Sequence, residues 1–406
     1  MDAARPRVLF LAHLLPFPLD GGAKIKSYHT LRTLADVYDV TLLAFVRSEE
    51  ESQYIKNLRP LCAGGVQTVP IARSKARNIT DAATALLTRQ SFIVARDKVG
   101  AMQKAVHERL DKQRYAAVHI DHLQMAQYVL PRRRGARLIL DHHNIESMII
   151  KRLAETTESR AMRMYAAHEW PKLERYEVDI CKKVDAVLTV TEEDAVALRL
   201  LAPELKSVTA VPIGVDGDYF CPIPRKRDSQ TLLSIGTMSW QPNIDAIFWF
   251  AEAIYPLIKA QAPQARLNIV GAKPTDRVRS LSLTDPSITV PGYADDVRLP
   301  AEDCAAFIVP LLSGGGMRVK IVNALSMALP VVSTRLGAEG IAVTHDKDIL
   351  IANNPENFAR ACVRLLRDPD LRTQLGNAGR ELVETRYSWE AVGRKLLNVY
   401  AGTLID

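Results

Sequence analysis

Short, wholly apolar runs alternate with longer segments of helical periodicity along the 406-residue chain. Residues 7–13 and 40–46 are apolar on both faces of a strand, which is typical of parallel strands buried inside a sheet. Residues 23–34, between them, carry apolar side chains at helical spacing. This alternation predicts β-α-β units and therefore an α/β fold with parallel sheets.

The pattern restarts near residue 212. Residues 211–216 are punctuated by proline and glycine, which indicates a connector, and a polar stretch, 222–230, follows it. A chain of this length exceeds one ordinary hydrophobic core. We therefore predict two doubly wound domains, 1–211 and 212–388. The predicted strands are 7–13, 40–46, 116–120, 137–140, 186–190, 231–235, 267–270, 287–290, 305–309 and 330–333.

Bulk composition narrows the class of protein. The net charge is +7, and the excess lies mainly in the N-terminal half. No aromatic residues interleave with a basic stripe, which disfavours nucleic-acid binding. The opening residues do not match a signal peptide, and no apolar run is long enough to span a bilayer. The five cysteines are scattered, which favours a reducing compartment. We expect a cytoplasmic protein, and the basic excess leaves open peripheral contact with the anionic inner face of the membrane.

The glycine-rich segment at residues 313–320 is the most informative motif. Gly314, Gly315 and Gly316 leave the backbone unshielded, so that a ligand can approach its N–H groups. The loop opens a predicted helix, 321–329, whose positive end attracts anions, and Arg318 and Lys320 add two cations. This combination predicts a diphosphate site, and a flexible turn with surface charges is the alternative. The P-loop spacing is absent, and no Gly-x-Gly-x-x-Gly follows the first strand.

Polar residues follow the predicted strands of the N-terminal half. Asp121 and His122 come after one strand, and His142 and Asn144 come just after the next. Carboxyl ends of parallel strands are where such sheets bind ligands. We predict contacts to a sugar acceptor or acid–base chemistry here, with Asp121, His122 and His142 as the catalytic candidates. A metal site is the less favoured reading, because no spacing matches a known zinc pattern.

Two further glycines, Gly21 and Gly22, precede the first predicted helix, with Lys24 in its opening turn. A two-glycine turn is common, so the signal is weak by itself. We assign Gly21, Gly22 and Lys24, together with Asn144, to an acceptor or phosphate loop.

On these motifs the chain resembles the family 4 glycosyltransferases, whose architecture is called GT-B. The resemblance runs along essentially the whole length and is most specific at residues 310–320, continuing to 340. Similar segments occur at 18–22, 212–216, 236–243 and 387–389. The resemblance implies two Rossmann-like domains facing across a cleft, with the last helix, 389–406, joining the first domain. It also implies that the domains close around the donor.

The resemblance further implies that the C-terminal domain binds a nucleotide-diphosphate sugar and the N-terminal domain binds the acceptor. Arg318 and Lys320 would neutralise the leaving diphosphate, and transfer would retain the anomeric configuration. The implied donor-binding residues are Gly236, Asn243, Gly271, Tyr293, Gly314, Gly315, Gly316, Arg318, Lys320 and Asn323. The expected acceptor is a glycan, a lipid-linked sugar or a small-molecule hydroxyl, and neither metal nor cofactor is expected.

The chain departs from the family pattern at two positions. The family usually has two glutamates eight positions apart, and Gly315 and Asn323 occupy the matching places. Three alternatives therefore stay open beside a glycosyltransferase. These are a degenerate GT-B protein that binds without catalysis, a sugar-nucleotide 2-epimerase using Asp121 and Glu146, and a binding protein independent of nucleotides.

Overall fold

The computed structural model describes residues 5–71, 90–224 and 226–405. These residues form two compact units. The N-terminal unit comprises residues up to Ile213 together with the C-terminal segment from Gly393, and the C-terminal unit comprises Gly214–Val392. Each unit is a parallel sheet with helices, which confirms the predicted α/β class and the two doubly wound domains.

The N-terminal sheet has seven strands in the order β3-β2-β1-β4-β5-β6-β7, and all its pairs are parallel. Strand order reverses beside β1, which makes the carboxyl ends of β1 and β4 a switch point where ligands bind in such sheets. The strands are β1 (Arg7–Ala12), β2 (Asp39–Val46), β3 (Val66–Pro70), β4 (Ala117–Asp121), β5 (Arg137–His142), β6 (Ala186–Thr189) and β7 (Val208–Ala210).

Helices of the N-terminal unit connect these strands, as the alternating sequence pattern predicts. The α-helices are α1 (Gly22–Val37), α2 (Ile55–Leu58), α3 (Phe92–Ala95), α4 (Gly100–Lys112), α5 (Ala126–Val129), α6 (Glu146–Thr156), α7 (Arg160–Lys183) and α8 (Glu192–Leu201). The Thr191 side chain caps α8 by accepting a hydrogen bond from the Asp194 N–H at 3.0 Å.

The C-terminal sheet has six strands in the order β10-β9-β8-β11-β12-β13, again parallel. The strands are β8 (Thr231–Ile235), β9 (Arg266–Val270), β10 (Ile288–Gly292), β11 (Ala306–Val309), β12 (Val331–Ser333) and β13 (Leu350–Ile351). The α-helices are α9 (Gln241–Trp249), α10 (Tyr255–Gln261), α11 (Asp276–Thr284), α12 (Val319–Ser326), α13 (Pro355–Arg367), α14 (Pro369–Arg386) and α15 (Trp389–Ile405). A π-helical segment, Phe250–Ile254, links α9 and α10.

Three strands and one helix differ from the sequence expectations. The strands that the pattern did not predict, β3, β7 and β13, are all edge strands, whose short or half-polar sequences give little apolar signal. The helix predicted at 321–329 is α12, which begins at Val319 and ends at Ser326. Ala328 has a φ of 55°, and this left-handed conformation stops the helix.

The last helix, α15, packs its C-terminal half on the N-terminal sheet. The Tyr400 hydroxyl lies 3.0 Å from Nδ1 of His119, a fully buried residue of β4. Among the helices of the described residues, none combines the length and apolar character needed to cross a bilayer.

Candidate functional site

Glycines end three adjacent strands of the C-terminal sheet. Gly236 and Gly271 directly follow β8 and β9, and Gly292 is the last residue of β10. The backbones approach closely, because a Cβ on Gly271 would lie 1.7 Å from the carbonyl oxygen of Gly236. The Gly271 N–H donates to the Gly292 carbonyl at 2.7 Å. Gly236 is in turn covered by the Asn243 amide, whereas a Cβ on Gly292 would meet no atom of the described residues within 4 Å, so the end of β10 is the open one of the three.

The glycine-rich loop lies between β11 and α12 in the same unit. Gly314 has a φ of 111° and Gly316 a φ of 79°, conformations that side-chain-bearing residues rarely adopt. A Cβ on Gly314 would approach the Arg318 guanidinium to 2.9 Å and the Trp240 ring to 3.3 Å. The loop is therefore folded tightly against Arg318, and only glycine fits at position 314.

Arg318 occupies the N-cap position of α12 and is 7% exposed. Its Nη1 donates hydrogen bonds to the carbonyls of Gly315 and, at 2.9 Å, Gly316. Within the described chain, no side-chain oxygen caps α12 and its first turn contains no acidic residue. The positive end of the helix and the guanidinium thus lie together at the loop.

Lys320 contributes a second cation in the first turn of α12. Its Nζ donates to the Asn243 amide oxygen at 3.2 Å, and the Asn243 amide nitrogen donates to the Thr237 carbonyl at 3.0 Å. Burial and the neighbouring charge of Arg318 lower the pKa of Lys320 to about 8, although part of the side chain is exposed. No ion pair between described residues includes Lys320, so its charge is held by a neutral amide.

The structure brings together most of the predicted donor-binding residues. Gly236 touches both Gly271 and Asn243, Asn243 holds Lys320, and Gly314 lies on Arg318. Tyr293 follows Gly292 and is 70% exposed. Asn323 lies one turn after Lys320 and is partly exposed. Trp240, whose ring edge lies beside Gly314, was not among the predicted site residues, although its place just after β8 offered a signal.

In the N-terminal unit, Asp121 is the centre of a buried polar group. It accepts a hydrogen bond from the Ser27 hydroxyl at 2.9 Å, and His122 Nδ1 and His143 Nε2 lie 3.1 and 2.9 Å from its two oxygens. Burial favours the neutral acid, but the charges of His122 and His143 outweigh it and hold the pKa of Asp121 well below its usual range. Asp121 therefore orients two imidazoles at the end of β4.

A buried ion pair lies next to Asp121. Lys26 of α1, 1% exposed, binds Oδ1 of the fully buried Asp141. The other oxygen of Asp141 lies 3.6 Å from Nε2 of His119. Although burial raises the pKa of Asp141, the Lys26 charge more than offsets this and keeps the carboxyl ionised. The contact links α1, β4, β5 and, through Tyr400, α15.

The two histidines that contact Asp121 differ in pKa. Burial tends to lower the pKa of His122, but the Asp121 carboxylate raises it above the usual value. Burial lowers the pKa of His143 to about 4, and the charge of His122 adds to that effect. The two rings lie 3.9 Å apart between centroids. His122 therefore carries the proton more readily than His143.

His142, one of the three predicted catalytic residues, does not join Asp121 and His122. Its Nε2 lies 3.3 Å from Oε1 of Glu177 on α7. Glu177 also accepts hydrogen bonds from the N–H groups of Glu146 and Ser147, at 2.8 and 3.3 Å, and so caps α6. Consecutive side chains of a strand point to opposite faces, and the structure brings His143 to the Asp121 group instead.

At the predicted acceptor or phosphate loop, the lysine that reaches the strand ends is not the one expected. Gly21 is the N-cap of α1, Gly22 opens the helix, and a Cβ on Gly21 would meet no atom within 4 Å. Lys24 forms an ion pair with Asp20 at 3.1 Å. Lys26 is the lysine that reaches the strand ends, and sequence reasoning missed it because buried lysines are rare. Asn144 lies in the turn between β5 and α6, partly exposed.

A second carboxylate–imidazole pair lies beside the Asp121 group. His13, directly after β1, has its Nε2 3.0 Å from Oδ2 of the fully buried Asp97. The His13 ring lies 5.4 Å from the His122 ring. Neither residue was predicted, and the position of His13 at the end of the first strand was the available signal.

Two sets of side chains in the described part of this unit bring metal-type ligand atoms within 4.8 Å of one another. They are Asp121, His122 and His143, and His119, Asp121 and Asp141. Ser27, His122 and His143 already bind the two oxygens of Asp121. Lys26 binds one oxygen of Asp141, and among the described residues the other oxygen has no hydrogen-bond partner.

The chain is similar to known proteins in both sequence and fold. Residues 229–368 match the model of the family described as glycosyl transferases group 1. A GDP-mannose-dependent phosphatidylinositol monomannoside mannosyltransferase of Mycobacterium tuberculosis is 27% identical over 221 residues, 48% of this chain and 56% of that protein. An uncharacterized 44.6 kDa protein in the cps region of Klebsiella pneumoniae is 24% identical over 235 residues, 55% of this chain and 58% of that one. The chain thus aligns with between half and two thirds of the length of these relatives.

Solved structures match over nearly the whole chain. Sucrose-phosphate synthase from Thermosynechococcus elongatus has a TM-score of 0.68 at 17% identity, covering 98% of this chain and 99% of that one. HepE of Anabaena, solved in complex with UDP, also has a TM-score of 0.68, at 12% identity, with 98% and 100% covered. These likenesses establish the GT-B fold, and the family match associates residues 229–368 with the group 1 glycosyltransferases.

Proposed function

We propose that the protein is a glycosyltransferase that takes its sugar from a nucleotide-diphosphate donor. The observation that carries the proposal is the cation pair of the glycine-rich loop. Lys320 is crowded enough for its pKa to fall to about 8, yet its hydrogen bond is to a neutral amide. A partly buried charge held only by a neutral amide is costly, and a diphosphate bound beside it would offset that cost.

The arrangement suits the chemistry of glycosyl transfer. The bond between the anomeric carbon and the diphosphate breaks, and a bond to the acceptor oxygen forms. The leaving diphosphate gains negative charge as the first bond breaks. Arg318, Lys320 and the N-terminus of α12 are fixed in place before the reaction, so they stabilise that charge without reorganisation. Gly292, where a Cβ would meet no atom of the described residues within 4 Å, leaves room for the nucleotide at the end of β10.

The donor class follows from the relatives as a further part of the proposal. The mycobacterial relative is named for GDP-mannose, and a HepE structure contains UDP-glucose. We propose GDP or UDP as the carrier and a hexose as the sugar. Tyr293, strongly exposed beside Gly292, is placed to contact the base.

We propose that the N-terminal unit binds the acceptor at the ends of β4 and β5. His122, 12% exposed at its side chain and oriented by Asp121, is the residue best placed to bind a hydroxyl. His143 replaces His142 in this proposal, because it shares Asp121 with His122. The relative named for phosphatidylinositol mannosides supports a lipid-linked acceptor among the three acceptor classes.

Finer features of the resemblance belong to the same proposal. They are membership of family 4, retention of the anomeric configuration, independence of metal and cofactor, and a cytoplasmic location. Gly315 and Asn323 occupy the places of the usual glutamates. At these two positions only the backbone and the Asn323 amide are left to bind the donor. A nucleotide-binding GT-B protein without catalysis is the second candidate, and these two positions favour it.

A thermal-shift panel with GDP, UDP, ADP and the matching monophosphates tests donor binding. Ligand at a hundred times its dissociation constant adds about 2.7 kcal/mol of stability, so one diphosphate should raise the melting temperature well above the others. Equal, negligible shifts for every nucleotide would contradict the proposal.

A second experiment separates the enzyme from the non-catalytic protein. GDP-mannose and UDP-glucose, each labelled in the sugar, are incubated with the protein and a lipid extract, with and without EDTA. The expected result is release of GDP or UDP together with the appearance of label in the lipid fraction, and neither should be affected by EDTA. Nucleotide binding without sugar release from either donor would favour the non-catalytic protein.

A further inference from the structure

Helices α6 and α7 form a helical hairpin on the N-terminal unit. They pack along each other and are joined by only three residues, 157–159. The Arg163 guanidinium donates to the Thr157 carbonyl at 2.8 Å, and the Lys151 ammonium lies 5.2 Å from the centre of the Trp170 ring. These contacts fix the loop and the pairing of the two helices.

The hairpin exposes an unusual number of large apolar side chains. In the described part of the chain, sixteen such residues are exposed, and five of them fall between positions 148 and 165. Met164 is the most exposed of the five, at 75%. We call this set the hairpin surface: Met148, Ile149, Met162, Met164 and Tyr165. The five residues belong to the first turn of α6 and the first two turns of α7. A concentration of exposed apolar groups in one short hairpin is typical of an interaction site.

Cations accompany the apolar side chains. Lys151 and Arg152 lie on α6, and Arg160 and Arg163 lie on α7, all four exposed. Two exposed acidic residues, Glu155 and Glu158, lie between them, so residues 148–165, which include the hairpin surface, have a net charge of +2. Apolar tips among long basic side chains are typical of helices that lie in a membrane interface, because the basic stems cover apolar surface while their charges reach the head groups.

We infer that the hairpin surface docks on a bilayer containing anionic phospholipids. The charge decides the occupant: anionic head groups attract the four cations, whereas a second copy of this chain would set the same cations against one another. The hairpin begins directly after β5, and Met148 and Ile149 lie in the first turn of α6. Docking therefore holds the end of β5 close to the lipid surface.

Cosedimentation with vesicles tests the inference. The probes are vesicles of phosphatidylcholine alone and of phosphatidylcholine with one quarter phosphatidylglycerol, in about 0.1 M salt. The protein should bind the anionic vesicles and be released as salt rises, because screening weakens the attraction. Met164→Glu/Ile149→Glu changes two charges at the surface. Each charge step is worth roughly five-fold in partitioning, so binding should fall about 25-fold or more.

The matched control is Leu200→Glu/Leu283→Glu, which makes the same change at two leucines that are 76% and 87% exposed elsewhere. It should bind like the unaltered protein. If the hairpin variant does not fold, Lys151→Ala/Arg160→Ala replaces it, with Lys104→Ala/Lys112→Ala on α4 as its control.

Three results would overturn the inference. They are no binding to the anionic vesicles, equal loss in the hairpin variant and its control, and a dimer in solution that Met164→Glu dissociates. The assay contains no nucleotide or sugar, so its failure leaves the proposed activity untouched.

Discussion

Two lysines, Lys26 and Lys320, stand at the carboxyl edges of the two sheets in opposite circumstances. Lys26 is 1% exposed and forms an ion pair with the buried Asp141. Lys320 is partly exposed and donates to the amide of Asn243. The first charge is neutralised within the fold, and the second is not. The Lys26 charge therefore stabilises the fold, whereas the Lys320 charge remains available to an anionic ligand.

The N-terminal edge is correspondingly self-contained. Asp121 accepts from Ser27 and is shared by two histidines, and Asp141 is shared by Lys26 and His119. Such a network is rigid and leaves little charge for an incoming anion. It suits hydroxyl groups, which need oriented donors and acceptors, whereas the C-terminal edge suits a diphosphate.

The largest effect should come from removing the neutralised lysine. Lys26→Met leaves Asp141 buried without its ion pair, which costs about 3–5 kcal/mol of unfolding free energy. Lys320→Met removes a charge that burial already disfavours, so stability should be unchanged or higher. Urea unfolding of both variants measures the difference.

Lys26→Met/Asp141→Asn should recover part of the lost stability, because it removes the stranded carboxylate. Equal stability of Lys26→Met and the unaltered protein would show that the buried pair does not hold the edge together.

Catalytic turnover, unlike stability, should depend on the cations of the glycine-rich loop. Arg318→Ala/Lys320→Ala removes preorganised positive charge from the leaving group, and the loss of one such donor typically costs about 10²-fold in turnover. Sugar release from the donor measures it, and Lys347→Ala, an exposed lysine of the same unit, is the control. Full turnover in a folded double variant would remove these residues from the mechanism.

Nucleotide affinity should depend on pH through Lys320. Its pKa of about 8 in the free protein rises when a diphosphate binds, because the anion favours the charged form. Affinity is then fully present below pH 8 and falls by about ten-fold between pH 7 and 9. Calorimetric titrations across this range test it, and in Lys320→Met the fall should disappear. A pH-independent affinity in the unaltered protein would mean that Lys320 does not meet the diphosphate.

The smallest effect on nucleotide affinity should follow the loss of Asn243, the neutral partner of Lys320. Asn243→Ala removes one amide hydrogen bond from Lys320, worth about 1 kcal/mol or roughly five-fold in affinity. Gln241→Ala, two positions earlier on α9, removes a surface contact to Asp245 and should change nothing. Equal affinities in the two variants would show that Asn243 does not position Lys320.

The sequence predicted which residues meet at the C-terminal edge better than which meet at the N-terminal edge, for a physical reason. Residues such as Gly236, Gly271 and Gly314 act through the backbone at strand ends, so their location follows from the order of strands and turns. At the N-terminal edge, the face of the strand or helix to which a side chain points decides which residues come into contact. A shift of two positions separates Lys24 from Lys26, and one position separates His142 from His143, and pattern reasoning does not resolve such steps.

Long-range partners were also beyond the sequence pattern. Asp97 meets His13 across 84 positions, and Tyr400 meets His119 across 281. Nothing local in either segment signals its partner. The fold class and the central strands could be predicted because buried parallel strands are apolar throughout, whereas the edge strands β3, β7 and β13 lack that signal.

The central claim is that the glycine-rich loop binds the diphosphate of a nucleotide donor. The most direct measurement is the affinity ratio of a nucleoside diphosphate to its monophosphate, in the unaltered protein and in Arg318→Ala/Lys320→Ala, by calorimetry at pH 7. The unaltered protein should prefer the diphosphate by about ten-fold or more, since one charge-assisted contact is worth about 1.5–3 kcal/mol. The variant should bind both alike. A diphosphate preference that survives in the variant, or is missing from the unaltered protein, would contradict the central claim.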